Sequence, residues 1–226
     1  MTFTPKLVIF DCDGVLIDSE LLSADTMIAE LEKIGIHIDY AFFFKELVGK
    51  SFQQGLEILE AKFGRRPDHE FPERFRVELR SRFEDQLKPI DGIAELINSL
   101  KIPCCVATSS SPDRAVHSLT VAGLVDKFKG HIYTSTMVKH GKPAPDLFLY
   151  AAEMMGVASE HCIVVEDSLY GLIGAHAAGM QGWNFSGGSH YQRGYHLPDN
   201  AVLDRRFSSM RDIHEALVEL DVASAI

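Results

Sequence analysis

Leu7 to Phe10 form an unbroken apolar run that opens directly onto two carboxylates, Asp11 and Asp13, with Asp18 close behind and Gly14 between. A short run of this kind predicts a strand buried on both faces. Placing like charges at its end costs several kcal/mol unless a cation pairs them. From there the hydrophobic rhythm changes. Leu21, Ala24, Ile28 and Leu31 recur at helical spacing between a candidate cap, Ser19, and a stop at Gly35. The stretch 51–64 repeats the pattern, and Phe71, Phe75, Leu79 and Phe83 recur every four residues. Residues 18–86 therefore read as all-helical, with the aromatic run Phe42 to Phe44 as internal packing.

The stretch "KPIDG" at 88–92 marks a boundary. Beyond it, strands and helices alternate. Strands are expected at "IPCCVAT", "HIYTST", "CIVVED", "MQGWNF" and "NAVLD". Helices are expected at "SPDRAVHSLTVAG", with Ser111 as cap and Pro112 in the first position, and at "PDLFLYAAEMMG", "SLYGLIGAHAAG" and "SSMRDIHEALVEL". Such alternation implies an α/β fold, a doubly wound parallel sheet covered on both faces. The first strand belongs to that sheet, so residues 1–17 and 87–226 make a Rossmann-like core and 18–86 an inserted helical cap.

With 226 residues the chain is long enough for one full core and one smaller domain. Its net charge of −10 argues against a nucleic-acid partner, which needs a basic face, but leaves room for a small anion held by local cations. No apolar run reaches membrane-spanning length, and "MTFTPK" lacks a signal-peptide pattern. A cytoplasmic monomer is the expectation. The cysteines sit in or beside apolar runs with no Cys-x-x-Cys pair, and the ten histidines show no metal-binding spacing, so they are assigned to surface or core.

Parallel sheets build their sites at the carboxyl ends of the strands. Here those ends carry Asp11, Thr108, and Glu166 with Asp167, while Lys142 lies in "HGKPAPD" before a helix. Asp11, Asp13, Asp167 and Glu166 offer hard oxygen ligands that suit Mg²⁺. The Thr108 hydroxyl and the Ser109 backbone N–H can hold phosphate oxygens, and Lys142 can neutralise them. The chemistry implied is in-line displacement at phosphorus, with one carboxylate as nucleophile and another, two residues on, as acid and base.

"DCDGVLIDS", "VATSSSP", "GKPAPD" and "VEDSLYG" resemble, in order, the four motifs of the haloacid dehalogenase-like hydrolase superfamily. Within it, the chain is similar to the branch of small sugar-phosphate phosphatases that includes 6-phosphogluconate phosphatase and the beta-phosphoglucomutases. The resemblance implies Asp11 as nucleophile and metal ligand, and Asp13 as acid/base and a ligand through its backbone carbonyl. It further implies Thr108 as phosphate-binding hydroxyl, Lys142 as stabilising cation and Asp167 as metal ligand. Whether Glu166 binds metal directly is left open. Candidates to read the leaving group are Ser19, Glu20, Ser23, Lys50 and Ser51, which follow the hinge or sit in the Gly49 turn.

The competing readings fare worse. A cysteine phosphatase needs an arginine six residues after its nucleophile, where Cys12 is followed by Asp18. A signalling receiver shares the phospho-accepting aspartate, but it lacks an inserted helical domain and carries its acidic pair before the acceptor. A catalytically dead binding protein would lack a motif residue, and none is missing. A phosphomutase of the beta-phosphoglucomutase type carries a histidine and an arginine where Ser23 and Phe52 stand here. The expectation is therefore a phosphatase acting on a small phosphorylated metabolite.

Overall fold

The computed structural model describes residues 3–128 and 130–225; Met1, Thr2, Lys129 and Ile226 lie outside them. The strand β1 (Leu7–Phe10) is central and pairs in parallel with β2 (Cys104–Thr108) on one side and β4 (Cys162–Glu166) on the other. With β3 (Ile132–Thr134), β5 (Gln181–Phe185) and β6 (Arg205–Phe207), the sheet runs in the order β3-β2-β1-β4-β5-β6, parallel throughout. The chain winds outward from β1 to β3, then crosses back to β4 and winds the other way. That reversal leaves a crevice at the carboxyl ends of β1 and β4.

Double-sided burial explains the uninterrupted apolar strands. Successive side chains of β1 point to opposite faces. Val8 and Phe10 join the core cluster that holds Phe128 and Trp183, while Leu7 and Ile9 join the one that holds Phe148 and Ala151. The covering helices are α5 (Ile93–Ser99), α6 (Pro112–Val121), α7 (Asp146–Met154), α8 (Leu169–Ala177), the short α9 (Ser189–Gln192) and α10 (Met210–Glu219).

Between β1 and α5 the chain forms α1 (Glu20–Glu32), α2 (Tyr40–Glu46), α3 (Phe52–Phe63) and α4 (Phe71–Gln86). Ser51 opens α3 with a reciprocal capping box to Gln54, and Gly64 closes it in the left-handed conformation. The buried stripe of α4 is Phe71, Phe75, Leu79 and Phe83, and Phe75 meets the Phe52 ring at 5.1 Å. Truncating one such phenylalanine costs about 3–5 kcal/mol. Phe43 and Phe44 are buried in α2, where Phe44 packs on Tyr195.

Two expectations need correcting. "NAVLD" is not a strand: the last strand begins at Arg205, immediately after it. Residues 198–201 turn, with the Ala201 N–H bonded to the Pro198 carbonyl, and Val202 points to solvent. Asp204 then bonds to both backbone groups of Gly182 and starts the pairing with β5. Ser19 and Ser111 occupy the cap positions of α1 and α6, but neither side chain caps its helix. No described helix is long and apolar enough to cross a membrane, and all four cysteines are free.

Candidate active site

Asp11 follows β1 directly, its N–H bonded to the Val165 carbonyl of the neighbouring strand at 3.0 Å. The Lys142 ammonium, fully enclosed, donates to Asp11 Oδ1 at 2.5 Å and to Glu166 Oε1 at 2.6 Å. The second oxygen of Glu166 accepts from the Ser168 N–H at 2.7 Å and the Ser168 hydroxyl at 2.9 Å. Glu166 is thus held at both oxygens and in turn holds Lys142. Burial opposes the Lys142 charge, but Asp11 and Glu166 outweigh it and keep the ammonium protonated above its ordinary range.

One cation does not balance the carboxylates. Oxygens of Asp11, Glu166 and Asp167 all lie within 4.8 Å of one another, and all three residues are buried. Burial, with the charges of Glu166 and Asp167, pushes the Asp11 carboxyl well up despite Lys142. Burial and Glu166 do the same to Asp167. Asp167 Oδ2 is buried and makes no hydrogen bond; His190 Nε2 lies 3.0 Å away without hydrogen-bond alignment. Burial lowers the His190 pKa, so the imidazole is not a ready counter-charge. Three buried carboxylates, one ammonium and an orphaned oxygen fit a hard cation. Gly14 is required here, because a Cβ at that position would fall 2.1 Å from Asp167 Oδ2.

Asp13 faces elsewhere. Its Oδ1 accepts from the Ser19 hydroxyl at 2.6 Å and Arg114 Nη2 at 2.8 Å, and its Oδ2 accepts from the Ser110 hydroxyl at 2.7 Å. Burial favours the protonated acid, but Arg114 and the two hydroxyls prevail and hold it below the usual carboxylate value. Thr108, at the end of β2, is buried, and its oxygen accepts the Ser110 N–H at 3.1 Å, which leaves its own hydroxyl proton available. The Ser109 hydroxyl reaches the Gly49 carbonyl of the helical segment at 3.5 Å. Gly49 also packs against Ser168, at 2.7 Å from where its Cβ would be, so the α2–α3 turn sits on the strand ends.

These groups floor a cavity of about 730 Å³ walled by Phe52, Phe75 and Phe83 of the helical segment. Among the residues expected to meet a leaving group, Glu20, Ser23, Lys50 and Ser51 line it. Ser19 does not; it is buried beneath and spent on Asp13. Ser51 is committed to capping α3, and Lys50 donates to the Glu46 carbonyl and lies 4.6 Å from the Tyr170 ring centroid. Asp18, the third aspartate of the opening stretch, binds the N–H and hydroxyl of Ser189 and serves the fold. Sequence reasoning missed Arg114, Ser110, Ser168 and His190. Arg114 had a signal: a cation in the first turn of a helix opposes the macrodipole and implies a nearby carboxylate. His190 had none.

The parallel sheet and the strand-end carboxylates around Lys142 define a hydrolase of the haloacid dehalogenase type. A model of haloacid dehalogenase-like hydrolases matches residues 5–179, and the chain belongs to that family. It is 28% identical to 6-phosphogluconate phosphatase of Escherichia coli over 186 residues, 82% of this chain and 84% of that one. It is 31% identical to the phosphorylated carbohydrates phosphatase of Thermotoga maritima over 180 residues, 78% of this chain and 82% of that one. A HAD family hydrolase from Deinococcus radiodurans, crystallised with bound phosphate and sodium, superposes with a TM-score of 0.78 at 28% identity, over all of both chains.

Proposed function

We propose that the protein is a Mg²⁺-dependent phosphatase acting on a small phosphorylated metabolite, a sugar phosphate or sugar-acid phosphate, through an aspartyl phosphate on Asp11. The observation that carries this is the buried group of Asp11, Glu166, Asp167 and Lys142 beside the Thr108 hydroxyl, one nucleophile among phosphate-binding groups. The phosphorylated carbohydrates acted on by the Thermotoga relative, and the phosphate and sodium in the Deinococcus structure, support the same reading.

In this reading Asp11, Asp167 and the Asp13 carbonyl would hold the cation, with Glu166 as a further ligand or as the residue that orients Lys142. Bound Mg²⁺ would neutralise the carboxylates and the phosphate and so lower the barrier to anionic attack. An Asp11 carboxylate oxygen bonds to phosphorus as the ester P–O bond breaks, and Asp13 gives its proton to the departing oxygen. Asp13 then takes a proton from water, whose oxygen attacks phosphorus and frees Asp11. Thr108, the Ser109 N–H and Lys142 bind the phosphate oxygens.

Residues 18–86 act as a cap over a core of 1–17 and 87–226, and the cavity between them holds the leaving group. Phosphatase is favoured over phosphomutase by the cavity wall. Ser23 cannot relay a proton near neutral pH, and Phe52 packs on Phe71 and Phe75 where a second phosphate would need an arginine. The test is release of phosphate from p-nitrophenyl phosphate with Mg²⁺. Activity should vanish with chelator and with Asp11→Asn, and full activity in either would remove the reading. A hexose 1-phosphate supplied with a bisphosphate primer, followed by NMR, should yield free phosphate faster than isomerised sugar.

A further inference from the structure

Three of the carboxylates on the floor of the cavity are tied down. Asp11 is held by Lys142, Asp13 has three donors and Glu166 is held at both oxygens. The remaining cation-site residue, Asp167, has an oxygen waiting for a positive charge. Glu20 differs. It opens α1, is only 9% exposed and lines the cavity; the charges of His190 and Arg114 act on it, yet its carboxyl makes no hydrogen bond or close ion pair among the described residues. Its oxygens open to the cavity rather than being sealed in protein, and an enclosed carboxyl with no protein hydrogen bond is costly, so the partner it lacks is one that a ligand in the cavity can bring.

Arg114, on α6, lines the same cavity. Its Nη2 bridges Asp13 Oδ1 at 2.8 Å and the Ser23 hydroxyl, one turn beyond Glu20, at 3.1 Å. Its guanidinium also lies 5.6 Å from the Phe83 ring centroid, which fixes its plane against the cavity wall. Its Nη1 has no hydrogen bond among the described residues. The leaving oxygen must come to Asp13 for its proton, so the carbon next to the ester enters the part of the cavity that Arg114 lines beside Asp13 and that Glu20 also lines.

We propose that Glu20 and Arg114 are a specificity-determining pair that reads a hydroxyl on the carbon beside the ester, so that the preferred substrates are polyol phosphates. The inference rests on the phosphatase reading above. The hydroxyl accepts from the Arg114 guanidinium and donates to a Glu20 oxygen, which satisfies both groups at once. An analogue without that hydroxyl leaves the Glu20 carboxyl and the Arg114 Nη1 without that partner, although Arg114 keeps Asp13 and Ser23, and a polar site that loses a hydrogen bond in this way discriminates strongly.

The test compares wild type, Glu20→Leu and Glu20→Gln on three substrates with Mg²⁺: p-nitrophenyl phosphate, glycerol 3-phosphate and propyl phosphate. The last two share a three-carbon chain and differ in their hydroxyls. Wild type should prefer glycerol 3-phosphate. Glu20→Leu should lower its kcat/KM about ten- to a hundred-fold and change the other two by less than about threefold. Glu20→Gln, which can still donate and accept, should keep most of the preference, and Glu20→Met replaces the leucine variant if that does not fold. Equal losses on all three substrates, or an undiminished preference in Glu20→Leu, would overturn the pair. So would a wild-type protein that cleaves p-nitrophenyl phosphate but favours propyl phosphate. Wild type inert toward all three would instead remove the phosphatase reading and this inference with it.

Discussion

The Lys142 ammonium lies 2.5 Å from Asp11 Oδ1, although 131 positions separate them along the chain. The contact ties the loop before α7 to the end of β1, and it sets stability and activity against each other. Replacing Lys142 with Met leaves Asp11 and Glu166 buried with no counter-charge. Breaking such a pair costs about 3–5 kcal/mol. Replacing Asp11 with Asn removes one of three crowded negative charges, and burial already disfavours that charge. In metal-free buffer, Lys142→Met should therefore unfold at markedly lower denaturant, and Asp11→Asn should be at least as stable as wild type while losing turnover. The Lys142 contribution is present below its unfolded value of 10.5 and is lost as pH rises through the higher folded value. Denaturation midpoints for the two variants, with the opposite ranking, would contradict this account.

Asp13 is held by Ser19, Ser110 and Arg114 in a pose that keeps it ionised. Its proposed role demands a proton to give away, so substrate must displace part of this network before Asp13 acts as an acid. Asp13→Asn should cost about a hundred- to ten-thousand-fold with a sugar hydroxyl as leaving group. The loss should be much smaller for p-nitrophenol, which departs without protonation. Equal losses on the two substrates would assign Asp13 to binding or to structure.

Gly171 offers a steric probe of the same centre. A Cβ added there would fall 1.7 Å from Glu166 Oε1, far inside van der Waals contact. Gly171→Ala must push Glu166 aside, and with it the oxygen that holds Lys142. The expected result is a loss of kcat comparable to that of Glu166→Ala, together with a lowered melting temperature. Gly64→Ala makes the control, since no atom lies within 4 Å of its added Cβ, although its left-handed backbone still carries some strain. A Gly171→Ala protein with normal kcat would show that the Glu166 position is dispensable.

Much of this was legible in the chain, for physical reasons that differ by element. The strands β1 and β4 stood out because parallel strands buried on both faces read as plain apolar runs that end in polar residues. The helix α4 stood out because Phe71, Phe75, Leu79 and Phe83 keep one face. Short elements such as α5 and α9 carry too few turns for a period to register. The last strand was displaced because its pairing is set by Asp204 on Gly182 rather than by its own hydrophobicity. Within the site, Asp11, Thr108, Lys142 and Asp167 announced themselves as polar groups at strand ends or in a loop facing them. Glu20 was legible as a residue just past the hinge, and it lines the cavity; Arg114, on α6, gave only the weak signal of a cation in a first helical turn, because the carboxylate it meets, Asp13, lies 101 positions away.

Glu20 carries a signature that separates its environment from its proposed role. Burial, then the charges of Asp167 and Asp13, push its carboxyl from 4.5 up to about 8. Below pH 4.5 the side chain is protonated in both folded and unfolded chains and costs nothing extra. Between that value and about 8 the folded chain keeps a proton that the unfolded chain has released, so stability falls as pH rises across the window. Glutamine carries no titrating proton. Glu20→Gln should match wild type near pH 4 and become more stable than it by pH 8, by a few kcal/mol at most. Chemical denaturation of both proteins across that range, in metal-free buffer, reads the difference directly. Parallel curves would mean that Glu20 ionises freely in the folded protein, and the unpaired carboxyl in the cavity wall would then be no burden for a ligand to relieve.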